Sequence, residues 1–156
     1  MAGFEARLAE LGIDLPDVAP PVAAYVPALI TGSYVYTSGQ LPFVAGALAA
    51  TGKVGDGHGL VPADDAKDYA RACVLNALAA VRAELGSLDR VTRIVKLVGF
   101  VASDPSFTGQ PGVVNGASEL LGEIFGEAAR HARSAEGVTV LPLDAPVEIE
   151  LVVEFA

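Results

Sequence analysis

The sequence predicts an α+β fold: a sheet built in the order β-β-β-α-β-α-β-β, with two helices packed on one of its faces. Three observations predict it. Apolar residues recur at helical spacing between residues 62 and 85. Residues 91–103 and 146–155 read as strands, the second alternating with a period close to two. Finally, the uncharged stretch 18–52 is cut by Pro20, Pro21, Pro27 and Pro42 and by Gly32, Gly39, Gly46 and Gly52 into pieces too short for a membrane span.

Each element has its own signal. Residues 4–11 form a short amphipathic helix that Gly12 stops. Residues 13–22 are proline-rich and extended. AYVPALIT (24–31) and YVYTSGQL (34–41) are strands joined through Gly32-Ser33, with Gly39 marking a strand end or a bulge. Residues 46–54 give a weaker third strand. The helix 62–85 has Pro62 at its entry and Asp64 and Asp65 in its first turn. Ala70, Cys73, Val74, Ala77, Val81 and Leu85 face inward, and Gly86 ends it. After the strand 91–103, residues 111–129 form a second helix with Val114, Leu121, Ile124 and Phe125 as core positions. Residues 131–140 and 146–155 are the last strands, separated by LPLDAP. The 156 residues suit one domain, 1–156, whose first 19 residues are an N-terminal extension carrying the short helix.

Composition narrows the function. Hydrophobic residues make up 52% of the chain, charged residues 19%, and mean hydropathy is +0.47. That is more apolar than one small domain needs and suggests surface buried between copies of the chain. A net charge of −9 is poorly suited to phosphate backbones. The single cysteine, Cys73, excludes an intrachain disulfide and a CxxC motif, and it reads as a small core residue on the long helix. His58 and His131 lack ligand spacing, so no metal site is expected. The first residues lack a basic region followed by an apolar run, so no signal peptide is expected and the location is read as cytoplasmic.

Two features carry chemistry. Glu148, Glu150 and Glu154 alternate with apolar residues, as on a solvated strand face. Arg133 sits inside a strand, where a guanidinium requires an anion or water; a structural pair with one of these glutamates and a bound ligand are both open. If 131–140 and 146–155 pair as a hairpin about residues 143–144, Arg133 lies opposite residue 154 and Glu148 lies ~20 Å away along the strand. A site using both then needs a second subunit. Ser38 has no GxSxG setting and reads as a turn or ligand-binding hydroxyl rather than a nucleophile.

YVPALITGSYVYTSGQLP (25–42), VVNGASELLGEIFGE (113–127) and HARSAEGVTVLPLDAPVEIE (131–150) together resemble the Rid family, the YjgF-like reactive-intermediate deaminases, over about residues 20–156. The helix at 3–12 and the segment around 43–60 look like additions of a longer subgroup. The resemblance implies a chorismate mutase-like (YjgF-like) fold and a homotrimer with clefts between subunits. It implies hydrolysis of imines, the tautomers of enamines such as 2-aminoacrylate, to 2-oxo acids and ammonia, with no metal or organic cofactor. It assigns Arg133 to the substrate carboxylate and Glu148 to the attacking water. Tyr25, Ser38, Asn115 and the backbone of Ala135 line the cleft. Many members carry cysteine where this chain has Ala135, so thiol chemistry is excluded there. A non-catalytic trimeric module binding small carboxylates is the alternative. An RNA-cleaving or chaperone-like role is weaker given the charge, and a chorismate mutase reading rests on fold likeness alone. The partners implied are further copies of the chain and a small imino or 2-oxo acid; membrane and nucleic acid are not.

Overall fold

The computed structural model describes residues 3–21 and 23–156. Met1 and Ala2 of the N-terminal extension, and Val22 at the end of the segment expected to be extended, lie outside the described residues. A helix, α1 (Phe4–Glu10), precedes strands β1 (Ala28–Thr31) and β2 (Tyr34–Thr37) and the two-residue strands β3 (Phe43–Val44) and β4 (Ala47–Leu48). The long helix α2 (Ala63–Leu85) leads to β5 (Val91–Ala102), then α3 (Gln110–Phe125), β6 (Ala132–Val138) and β7 (Val147–Phe155).

The main sheet has five strands in the order β1-β2-β7-β5-β6, with β5 and β6 parallel and all other pairs antiparallel. β6 is therefore an edge strand, separated from β7 by β5. The hairpin expected between the last two strands does not form. The physical reason lies in β5, which is twelve residues long and buries Ile94, Leu97 and Val101. Seated between the two, it offers both a full ladder, and the LPLDAP segment, with its one 3₁₀ turn at Pro142–Asp144, carries the chain across. Arg133 consequently pairs with Leu97, and Glu148 pairs with Phe100.

The expected third strand, 46–54, is also absent from the main sheet. β3 and β4 form their own two-stranded sheet around Ala45 (φ 51°) and Gly46 (φ 82°), a two-residue turn with both residues left-handed. Val54 contributes only isolated bridges to Val61 and Ser103. The second helix ends at Phe125 and continues to Ala129 as a 3₁₀ turn.

The helices form as their sequences dictate. In α2 the inward positions Ala70, Cys73, Val74, Ala77, Val81 and Leu85 are all buried, and Gly86 caps it in the left-handed conformation at φ 81°. In α3, Val114, Leu121, Ile124 and Phe125 are buried as well. Both helices lie on one face of the sheet, against Val147, Ile149, Leu151 and Val153 of β7 and their partners on β5. Gly116 of α3 approaches the α2 backbone so closely that a Cβ there would strike the Lys67 carbonyl. α1 docks beside them: Phe4 packs 4.7 Å from Phe125, Leu8 is buried, and Glu5 Oε1 accepts the Leu88 N–H at 2.8 Å.

Candidate functional site

The strand register sorts the candidate residues onto two faces. Side chains of directly paired residues lie on the same side of a sheet, and successive residues alternate. Leu97, Gly99 and Val101 face the helices, so their partners Arg133, Ala135 and Gly137 on β6 do too. Phe100 faces the opposite, open side, and so does its partner Glu148 on β7. Arg133 and Glu148 are two strands and three rungs apart, ~14 Å between Cα atoms, on opposite faces.

The first group is built on β6 and α3. Arg133 Nη1 donates to Asn115 Oδ1 at 2.7 Å and to Ser118 Oγ at 3.2 Å, and Nη2 donates to the Pro111 carbonyl at 3.3 Å. These acceptors share one face of α3 because residues 111, 115 and 118 are spaced four and three apart. All three are neutral. Among the described residues no carboxylate lies within ion-pair distance of Arg133. These bonds use both Nη1 hydrogens and one Nη2 hydrogen. Among the described residues they leave Nε–H and one Nη2–H without an acceptor, and the Nε–Nη2 edge is the one that a carboxylate can occupy side-on. Ser118 is itself held by His131: its Oγ lies 3.0 Å from His131 Nε2, and His131 Nδ1 lies 2.5 Å from the Ala129 carbonyl. A proton on Nδ1 donates to that carbonyl. Nε2 then accepts the Ser118 hydroxyl hydrogen, which turns the Ser118 lone pairs to the guanidinium. Ala135, two residues on from Arg133 on the same face, is half-buried and packs against the core.

The second group surrounds the end of β2. From Tyr36 to Gln40 the chain advances four residues while its partner strand goes from Val152 to Ile149, three residues, so one extra residue is accommodated in a bulge around Ser38-Gly39. The Ser38 hydroxyl donates to the Val26 carbonyl at 2.6 Å, which leaves its lone pairs to accept. A Cβ on Gly39 would collide with the Glu148 carboxylate, so glycine is required there to seat that side chain. Tyr25, half exposed, lines a shallow crevice with Gly39 and Gln40. Burial pushes the Glu148 carboxyl above the ordinary glutamate range, and the neighbouring Glu150 adds to the rise. Cys73 is wholly buried, its Sγ 3.6 Å from the Val147 carbonyl. Burial, then the Glu148 charge, holds its thiol well above the usual range.

The structure thus brings Arg133, Asn115 and Ala135 together, and separately Tyr25, Ser38 and Glu148. The sequence reading missed Pro111, Ser118 and His131. Their signal was the helical spacing of residues 111, 115 and 118 opposite an arginine on a neighbouring strand. Among the described residues no cluster of His, Cys, Asp and Glu fits a metal ion, and no helix is long and apolar enough to cross a membrane.

A mixed sheet covered on one face by two helices, with an arginine on its edge strand held by neutral acceptors, defines the chain as an α+β protein. The chain belongs to the family described as "YjgF/chorismate mutase-like, putative endoribonuclease", whose pattern matches residues 5–155. It is 47% identical to Atu1372 of Agrobacterium tumefaciens, a crystal structure described as of unknown function, over 98% of this chain and 92% of that one, with a TM-score of 0.88. Protein TCP17 of Trypanosoma cruzi is 45% identical over 150 residues, 96% of this chain and 92% of that protein. TdcF of E. coli, solved with bound serine, is 26% identical over 90% of this chain and 93% of that one, with a TM-score of 0.63.

Proposed function

We propose that the chain hydrolyses reactive 2-imino acids, tautomers of 2-aminoacrylate-like enamines, to 2-oxo acids and ammonia, in clefts between the copies of a homotrimer. The observation that carries this reading is Arg133: a guanidinium oriented by three neutral acceptors, without a carboxylate partner among the described residues, and with its side-on fork open. Such a group is preorganised for a small carboxylate. The serine bound to TdcF is a small molecule bearing one.

Arg133 and Glu148 lie on opposite faces of the sheet, so a single site using both takes one of them from a second copy. Arg133 lies on an edge strand, and Leu29, Tyr34 and Tyr36 are exposed on the open face at the other side of the sheet. A neighbouring copy covering that face buries these side chains and brings its Arg133 group towards the Glu148 group. In the joint cleft Arg133 binds the substrate carboxylate, with Asn115 holding the guanidinium and the Ala135 backbone flanking the imine. Tyr25 and Ser38 hydrogen-bond ligand or water.

Glu148 accepts a proton from water as its oxygen attacks the electrophilic imine carbon. The proton then passes to nitrogen; the hydroxyl of the tetrahedral intermediate next gives up its own proton, which Glu148 relays to nitrogen, and as the C–N bond breaks ammonia leaves and the 2-oxo acid remains. No strong nucleophile is needed, because the imine carbon is already activated; orientation and a well-placed base supply the acceleration. A carboxylate whose proton affinity is raised suits both the acceptance and the return of that proton. The net charge of −9 argues against a polyanionic substrate.

The test generates imino acids in situ with an amino-acid oxidase and follows ammonia and 2-oxo acid for wild type, Arg133→Ala and Arg133→Lys, each checked for oligomeric state. Acceleration by wild type alone is expected. Equal rates for wild type and both variants overturn the role of Arg133. If no imine is accelerated but 2-oxo acids bind saturably, the protein is a carboxylate-binding module instead.

A further inference from the structure

One cavity is lined by neither Arg133 nor Glu148, and it shares Ala19, Pro20 and Phe43 with the crevice of Tyr25 and Gly39. It has a volume of about 570 Å³, within the range of small-molecule sites. Three elements enclose it: the proline-rich segment after α1, the turn of the β3–β4 hairpin, and the middle of α2. Pro16, Val18, Pro20 and Phe43 give it apolar walls. Asp17 and Asn76 are its polar side chains, and no basic residue among the described residues lines it.

Asn76 is the informative one. It is only 3% exposed, and its amide orientation is fixed: Nδ2 donates to the Leu41 carbonyl at 3.1 Å and to the Phe43 carbonyl at 3.0 Å. Both amide hydrogens are thereby used to hold the hairpin on the helix. Oδ1 accepts no hydrogen bond from any described residue. No fully enclosed side-chain oxygen or nitrogen lacks a partner among the described residues, so Oδ1 borders open space, and Asn76 is one of the residues lining this cavity. A buried acceptor in apolar surroundings gains most from a donor that arrives with an apolar body. Asp17, exposed at the rim, disfavours anions there and favours cations.

We propose that this cavity is a binding site for a small apolar molecule that carries an N–H or O–H donor and no negative charge. The donor bonds Asn76 Oδ1, the body fills the space between Phe43 and the proline-rich segment, and any positive substituent lies towards Asp17.

Indole is a suitable probe, because the chain has no tryptophan and the emission of a bound indole is separable from that of tyrosine. Indole, 3-methylindole, 1-methylindole, tryptamine and indole-3-acetate are titrated against the full-length protein. Ala19→Phe, which adds a ring at a residue lining the cavity, is titrated in parallel after its melting curve is matched to wild type. Saturable binding of indole and 3-methylindole at one site per chain is expected. 1-Methylindole, with the same added carbon but no N–H, should bind at least about tenfold more weakly. Tryptamine should bind more tightly than indole-3-acetate, and Ala19→Phe should abolish binding of all five. Equal affinity for 1- and 3-methylindole overturns the role of Asn76. Unchanged binding by Ala19→Phe, or no saturable binding of indole or tryptamine, overturns the site.

Discussion

Replacing Asn115 by aspartate isolates the charge of Arg133 from its geometry. The two side chains have the same shape, and Asn115 Oδ1 already lies 2.7 Å from Arg133 Nη1. Asn115→Asp therefore converts a neutral acceptor into an internal counter-ion without moving anything. Two effects follow, with opposite signs. The new half-buried pair stabilises the fold by about 0.5–1 kcal/mol, or about 1–4 °C in Tm for a chain of this size. A ligand carboxylate in the side-on fork then faces a like charge across the guanidinium. At ~6 Å and an effective dielectric constant of ~20–40 that repulsion is about 1.5–3 kcal/mol, a ~10–100-fold loss of affinity. Calorimetric titration with 2-oxobutanoate and thermal melts of wild type, Asn115→Asp and Asn115→Ala test both signs together. Affinity of Asn115→Asp within twofold of wild type, with the fold intact, refutes the assignment of Arg133 as an anion anchor.

Three further outcomes follow from the second group and the core. Gly39→Ala places a methyl group where the Glu148 carboxylate lies, so imine hydrolysis should fall more than tenfold while the melting temperature shifts by only a few degrees; full activity would contradict the placement of Glu148. Glu148 has a folded-state proton affinity above its unfolded value, so the folded state holds the extra proton and stability is lost as pH rises through the interval between the two values. Denaturant titrations should show Glu148→Gln gaining on wild type as pH rises through that interval and holding a constant lead above it; a gap independent of pH would refute the cause given. Cys73, wholly buried, should resist a thiol reagent in the native protein and react fully on unfolding, and rapid native labelling would show that the helix-to-sheet packing around it opens.

The α+β class and both long helices were legible in the sequence because they rest on local signals. Pro62 and Gly86 bracket α2, and its inward positions follow a strict helical period. Pairing partners were not legible. β6 and β7 are consecutive and joined by a turn-like segment, so a hairpin was the natural expectation, yet β5 separates them, and the long-range apolar match that decides this leaves no mark in either strand. The segment 46–54 failed for a related reason: Ala45-Gly46 makes a tight turn two residues after β3 begins and diverts the chain from the sheet. Of the candidate site, Asn115 lies beside Arg133 and accepts a hydrogen bond from its Nη1. The expectation that Arg133 and Glu148 cannot meet within one chain holds, but the register supplies a different reason from the one first given. They are separated by the sheet itself, where distance along a hairpin had been expected.

That separation makes mixed oligomers the most direct test of the central claim, a site shared between copies. Arg133→Ala and Glu148→Gln chains are each inactive on this account. Co-expressed in equal amounts and assembled at random, they form clefts of which about a quarter combine an intact Arg133 from one chain with an intact Glu148 from its neighbour. Imine hydrolysis at about a quarter of the wild-type rate is the predicted result. No activity in the mixed assemblies, with both parents inactive and the oligomer intact, would contradict it.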